Sequence, residues 1–266
     1  MPGRTSYHNH TTWSDGAAGV AEMLAAARAA KLDEFGFSDH LVFYPGHDWF
    51  GWRLTPERLG AYSAEIRAAA EATDGIAVRI GAEVDFFPEL ERQLAAIVKP
   101  RPFDYLIGSV HFVDGFLIDG GLEGWTALSP DERDDVWRRY FERIVLAARS
   151  GIFDVIGHLD LPKRFGVRSP EERGAGALAA LDAIAAAGIA IELNTAGWRH
   201  PVDEPYPSPW LLERARERGV PLVINADAHR PEHVAADFDR AEATARAAGY
   251  AEVVRFERRK RTSVSL

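Results

Sequence analysis

TSYHNH (Thr5–Ser6–Tyr7–His8–Asn9–His10) is the stretch whose reading decides the fold. It begins as a β-forming run and stops on two histidines, two positions apart. Residues i and i+2 of a strand point to one face, so His8 and His10 converge. The same ending, a histidine or carboxylate where a β-forming run stops, recurs through the chain. It is found at SDG (14–16), SDH (38–40), GAE (81–83), SVH (109–111), IGH (156–158), ELN (192–194) and DAH (227–229). Six of the nine histidines stand at such ends. An α/β barrel collects residues at the carboxyl ends of its strands, so the pattern predicts one site built from distant segments.

Working outward from 5–10, strand-like and helix-like segments alternate without a break. The apolar runs 34–39, 76–83, 103–110, 153–157, 189–193 and 221–226 are short, as in buried parallel sheets. Helical spacing predicts helices at 18–31, 56–72, 88–98, 129–149, 169–187, 208–218 and 231–248. Thr55–Pro56–Glu57, Ser129–Pro130–Asp131–Glu132, Ser169–Pro170–Glu171–Glu172 and Ser208–Pro209 are N-cap residues followed by proline at the first helical position. A short strand at 252–256 closes the list. The expected architecture is one domain, 1–266, folded as an irregular seven-stranded (β/α)7 barrel with its active site at the carboxyl ends of the strands. A doubly wound open sheet is the alternative.

With no cysteine, the chain has no disulfide, thiol nucleophile or thiolate metal ligand. Any metal must be held by imidazole and carboxylate, a donor set that suits Zn, Mn or Fe. The formal net charge of −9 argues against a long nucleic-acid partner. No stretch approaches the roughly 20 apolar residues of a membrane span, and MPGRTSYHNH has no apolar signal core. A cytoplasmic location is expected. Arg258–Arg261 reads as a solvated tail, with a phosphate or partner contact as the other possibility.

Each pair alone has a bland explanation: HNH could be a surface pair, and Gly81–Glu83 an ordinary loop. Their joint placement at strand ends is what points to a multinuclear metal site. His8 and His10 share a face, as do Asp227 and His229, and His158 and Asp160 if the strand continues. Asp39 and His40 face opposite ways on a regular strand, so His40 is taken as the ligand and Asp39 as its neighbour's support. Glu192 is either a ligand or a buried hydrogen-bonded support, and Asp85 is a weaker candidate. His47 and His200 lie in loops at the active-site end and are candidates for substrate contact. His233 reads as a helix-surface residue.

Taken together, His8–x–His10, Asp15, His40, Glu83, His111, His158 and Asp227–x–His229 resemble, in order, the motifs of the PHP (polymerase and histidinol phosphatase) family of trinuclear metallohydrolases. The resemblance spans most of the chain. It implies three metal ions. His8, His10, Glu83 and Asp227 would hold the first. Glu83, as a bridge, with His111 and His158 would hold the second, and Asp15, His40 and His229 the third. Within the family, residues 192–199, Tyr206–Pro207–Ser208 and Gly108–Phe112 look like the HisJ-type histidinol-phosphate phosphatases. One departure stands out: those phosphatases usually carry a histidine at the position of Gly16.

The resemblance implies hydrolysis of L-histidinol phosphate to L-histidinol and phosphate, by attack of a metal-bridging hydroxide. The alternative is another small ester, such as a nucleotide or sugar phosphate. Arg164 and Arg199 follow strands five and six, and a planar guanidinium suits phosphate. Asp160 is a candidate proton donor, or else it orients Arg164 or a metal ligand. The aromatic loop with Asp48, Trp49 and Phe50 is either a substrate cover or ordinary packing.

Overall fold

The computed structural model describes residues 3–43 and 53–266. Strand β1 (Thr5–Ser6) leads to α1 (Val20–Ala29). Strands β2 (Glu34–Phe37) and β3 (His40–Leu41) precede α2 (Leu59–Glu71), and β4 (Ala77–Ile80) and β5 (Glu83–Asp85) precede α3 (Glu91–Val98). After β6 (Ile107–Ser109) come a hairpin of β7 (Phe112–Val113) and β8 (Phe116–Leu117), then α4 (Leu122–Ala127) and α5 (Pro130–Arg149). The alternation continues through β9 (Val155–Ile156), α6 (Ala175–Ala187), β10 (Ala190–Asn194), α7 (Pro209–Glu217), β11 (Leu222–Asn225) and α8 (Phe238–Ala247). An antiparallel hairpin of β12 (Glu252–Glu257) and β13 (Lys260–Ser265) ends the chain.

The strands that alternate with the helices pair in parallel, in an α/β fold. Pairing is divided between a three-stranded sheet, β1–β2–β4, and a six-stranded sheet, β11–β10–β9–β6–β5–β3. The sheets share two chain runs, because β2 continues into β3 across Ser38–Asp39 and β4 into β5 across Gly81–Ala82. The far edge returns towards β1 by one parallel bridge, Asn9 with Ala228. There His10 N donates to Ala228 O at 2.8 Å and Ala228 N to His8 O at 3.2 Å. Ladder pairing therefore does not run as one continuous seven-stranded ring.

Sequence and packing agree most closely at α5. Ser129 Oγ accepts from Glu132 N, and Glu132 accepts in return from Ser129 N at 2.8 Å. Such a cap is worth about 1 kcal/mol. Trp137, Tyr140, Phe141 and Ile144, at i, i+3, i+4 and i+7, are all fully buried. The other predicted helices are shorter than expected. Thr55–Pro56 makes a turn, with Arg58 N on Thr55 O, before α2 starts at Leu59. Gly174 separates a 3₁₀ turn at Pro170–Arg173 from α6. The expected helix at 231–248 is a 3₁₀ turn at Pro231–His233 and then α8, divided by Asp237 in the left-handed region.

At the amino ends of the strands, Tyr7, Tyr105, Ile107, Val155, Ala190 and Val223 pack with Val254 and Phe256 of the terminal hairpin. The Tyr105 side chain lies so close to Gly36 and Gly81 that a Cβ at either would come within 2.4 Å of it. Arg258–Arg261 is the turn side of this hairpin and not a loose tail, with Arg258, Lys260 and Arg261 exposed to solvent as expected. Arg258 and Arg259 form its turn with φ of 49° and 63°. Their amides donate to Asp104, and the Arg259 guanidinium pairs with Asp154. Among the described residues no helix is long and apolar enough to cross a membrane.

Candidate metal centre

At the opposite, carboxyl ends of the strands, all nine expected donors meet. Among the described residues, four overlapping groups have ligand atoms within 4.8 Å of one another: His10, Asp15, His40 and His229; His8, His10 and Asp227; His8, Glu83 and His158; His40, Glu83 and His111. Glu83 is the centre. Its Oε1 lies 2.8 Å from His158 Nε2 and 3.5 Å from His111 Nε2. Its Oε2 lies 2.8 Å from His40 Nδ1, 3.2 Å from His8 Nε2 and 3.6 Å from His10 Nε2. The groups differ from the expected division: around Glu83, His158 falls with His8 and His111 with His40, instead of His111 and His158 together. His10 reaches the cluster of Asp15, His40 and His229 as well as Asp227, and its ring stacks on His229 at 4.1 Å.

A layer of hydrogen bonds orients these donors. Glu192 is fully buried and accepts from His8 Nδ1 at 2.9 Å, which turns His8 Nε2 towards Glu83. It also accepts from His158 N, Asn194 Nδ2 and Asn225 Nδ2. Glu192 is therefore in the support position, the arrangement that fixes an imidazole's tautomer in metal sites. Asp85 does the same for His111, receiving Nδ1 at 2.9 Å. Asp39 accepts from Thr11 N, Thr11 Oγ1 and Ser14 Oγ, and so holds the loop that carries Asp15. Asp227 adopts φ of 50° just past β11, a left-handed conformation that aspartate tolerates better than most residues.

The position of Gly16 has a steric cause. A Cβ there would lie 2.5 Å from the backbone of His10, so no side chain fits without moving that strand end. An imidazole is excluded at position 16, and Asp15 reaches His229 Nε2 at 3.2 Å instead.

The donor set fits cations. His8 Nε2, both nitrogens of His10, and Glu83 Oε2 are buried without a hydrogen-bond partner, although they crowd one another. Buried polar atoms without partners are costly, and a shared positive ion would satisfy them together. Burial opposes ionisation of Glu83 and Asp227, but the surrounding imidazoles outweigh it and hold both carboxyls well below their usual range. Burial, with the His229 and His40 charges, lowers His10 to about 3 and keeps it neutral. For His40, burial lowers the pKa, but Glu83 and Asp15 outweigh it and raise it to about 9. For His111, Asp85 and Glu83 overcome burial and raise it to about 10.

A proton-release experiment follows from those directions. Near neutral pH the metal-free His40 and His111 carry protons that a cation must displace. Loading should release protons, and apparent affinity should rise with pH until about 9 to 10. Calorimetric titration in two buffers of different ionisation enthalpy measures this. Heats independent of buffer would contradict it.

Beside the cluster opens a cavity of about 330 Å³. Arg164, Arg199 and His200 line it, as expected, together with Asp119, Arg230 and His233. His233 thus faces the cavity and is not merely a surface residue, because the short turn at Pro231–His233 directly follows His229. Arg199 Nη2 donates to Ala226 O, and its Nη1 donates to Thr195 Oγ1 at 3.2 Å. Burial, together with Arg164, lowers His200 to about 4. Asp160 does not line the cavity. Its Oδ2 is taken by Lys163 Nζ at 2.9 Å and Ser208 N at 2.8 Å, tying together the loops after β9 and β10. This geometry fits the support role, while Oδ1 is buried without a hydrogen-bond partner. His47, Asp48, Trp49 and Phe50 lie outside the described residues.

Sequence reading did not single out Asp119, Arg230 or the buried Lys163. Arg230 was adjacent to the Asp227–x–His229 motif, which is a usable clue. Asp119 and Lys163 carried none, since a loop carboxylate and a loop lysine are ordinary.

The PHP domain family model matches residues 6–196. A "Probable histidinol-phosphatase" of Deinococcus radiodurans is 41% identical over 244 residues, covering 90% of this chain and 91% of that protein. A histidinol-phosphatase of Lactococcus lactis is 27% identical over 263 residues, covering 95% and 94%. Among solved structures, a histidinol phosphate phosphatase of Lactococcus lactis, complexed with zinc, L-histidinol and phosphate, superposes with a TM-score of 0.83. It is 24% identical and covers 97% of this chain and 98% of that one, a likeness of fold. With the family's motif residues gathered at one end of the strands, and that match extending over most of its length, the chain belongs to the PHP domain family.

Proposed function

We propose that this chain is a metal-dependent phosphomonoesterase that hydrolyses L-histidinol phosphate to L-histidinol and phosphate. The observation that carries this is the convergence of nine imidazole and carboxylate donors beside a cavity walled by three arginines. The similarity to histidinol-phosphatases over nine-tenths of the chain supports the substrate. We assign the donors to three ions. His8, His10, Glu83 and Asp227 hold one, Glu83, His111 and His158 another, and Asp15, His40 and His229 the third, with Zn, Mn or Fe all compatible. The Asn9–Ala228 bridge supports reading the two sheets as one irregular seven-stranded barrel with this site at its mouth.

When bound, such ions lower the pKa of water and stabilise charge on phosphoryl oxygens. The chain's own residues do the rest. Arg164 and Arg199 receive the phosphate through charged, paired hydrogen bonds. Arg199 arrives already aimed, because Ala226 O and Thr195 Oγ1 hold its guanidinium. His200, neutral at pH 7, offers a hydrogen bond and adds no further charge. Asp160 and Lys163 hold the loop carrying Arg164.

Replacing Arg199 with alanine should raise KM for the ester about 10- to 100-fold, the scale of a lost charged hydrogen bond. An unchanged KM removes Arg199 from the phosphate site. The function itself is tested by phosphate release from L-histidinol phosphate, a nucleoside monophosphate and a sugar phosphate. Metal-loaded protein that turns over either of the latter two but not histidinol phosphate would defeat the proposal. That outcome would favour the second reading, which the Ser14–Asp15–Gly16 motif supports.

A further inference from the structure

One basic region takes no part at the metal centre: the turn Arg258–Arg259, at the amino ends of the strands. Beside it lies a groove of about 590 Å³, bounded by the second half of α2, the loop before β6 and the hairpin turn. Ile66, Ile80 and Phe103 give it an apolar floor, and Arg67, Arg101 and Arg258 line it.

The sequence of the turn is unusual for its geometry. Glu257 pairs with Lys260, so the loop has two residues, and both have positive φ. Such loops favour Asn and Gly, because most side chains are strained in the left-handed region. Arg259 has a reason within the chain: its guanidinium pairs with Asp154 and donates to Ile152 O. No such contact accounts for Arg258. Its amide donates to Asp104, but its guanidinium has no ion pair or hydrogen bond among the described residues.

The positive charge of the groove is not cancelled from within. Arg67, like Arg258, has no ion pair or hydrogen bond among the described residues. Arg101 donates to two backbone carbonyls, Ile97 O at 2.6 Å and Pro56 O at 3.0 Å, which leave its charge intact. The two carboxylates that line the groove are already engaged. Asp104 accepts from Ile80 N with one oxygen and from Arg258 N with the other. Glu257 pairs with Arg79 at 3.1 Å. Three like charges around one groove repel one another, and an anion between them would turn that repulsion into attraction. Guanidinium forks match carboxylate and phosphate oxygens in geometry as well as in charge.

We propose that this groove binds a small, multiply charged anion with an apolar body. Its anionic groups meet Arg67, Arg101 and Arg258, and its body rests on Ile66, Ile80 and Phe103. The site is separate from the metal centre, and its ligand need not be the substrate.

Calorimetric titration of the metal-loaded protein with trimesate, a benzene ring bearing three carboxylates, tests this. Benzoate is the singly charged control. Wild type should bind trimesate, more weakly as salt is raised, and should bind benzoate at least about 10-fold less tightly. The double variant Arg67→Ser/Arg258→Asn removes two side chains that have no partners to lose, and Asn tolerates the left-handed region. It should unfold at the wild-type temperature and bind trimesate about 10-fold more weakly or worse. Arg199→Ala, at the other end of the strands, should bind trimesate as wild type does. Absence of binding at millimolar trimesate would overturn the inference, as would undiminished binding by the double variant. Binding weakened by Arg199→Ala and not by the double variant would put the anion in the metal-centre cavity and overturn it too. Equal affinity for benzoate would overturn the requirement for several charges.

Discussion

Replacing Glu83 with glutamine is expected to lower kcat/KM for histidinol phosphate by about 10³-fold or more, since metal ions contribute several kcal/mol of charge stabilisation. The size follows from position. Glu83 belongs to two of the four donor groups, and its two oxygens lie within 3.6 Å of five imidazoles. An amide keeps the shape but offers one neutral oxygen and a donor that faces the cation instead of attracting it. Loss of the carboxylate also leaves His8, His40 and His111 without their common counter-charge. Bound metal per chain, measured by elemental analysis, should drop by more than one equivalent. A fully loaded and active Glu83→Gln protein would mean that the cluster is not a metal site centred on this residue.

His229→Ala should cost at least about 10²-fold in kcat/KM, because loss of a mere supporting partner in a metal site already costs 10- to 100-fold. Its consequences should be narrower. His229 belongs to one group only, with His10, Asp15 and His40, and lies at the rim with its side chain 36% exposed. Removing it takes one donor from that group and frees Asp15 from its Nε2 partner. The groups around Glu83 and Asp227 keep all their residues. Elemental analysis should therefore show loss of about one equivalent, less than for Glu83→Gln. Equal metal loss in the two variants would contradict the division of donors. Undiminished turnover by His229→Ala would contradict the proposed function.

The contrast between these variants could not have been drawn without the tertiary structure. Strand periodicity paired His8 with His10 and Asp227 with His229, because neighbours two apart on a strand share a face whatever surrounds them. It said nothing about His10 facing both Asp227 and Asp15. That juxtaposition depends on β11 returning beside β1, more than 200 residues away in the chain. Likewise Asp160 looked like a catalytic acid from its place after His158. Packing showed that its Oδ2 is shared by Lys163 and Ser208, which the local sequence did not reveal.

What the sequence determined alone was the donor inventory, the alternation of strands and helices, and the Ser–Pro helix starts. Each is set by chemistry acting within a few residues: side-chain period, capping geometry, and the absence of thiols that leaves only imidazole and carboxylate. Tertiary structure alone decided the grouping of donors, the exclusion of a side chain at position 16, and the arrival of Asp119 and His233 at the cavity. It also decided the hairpin across the amino ends of the strands. These depend on contacts between distant segments, where close packing and the pairing of buried charge select one arrangement from many that the local pattern allows.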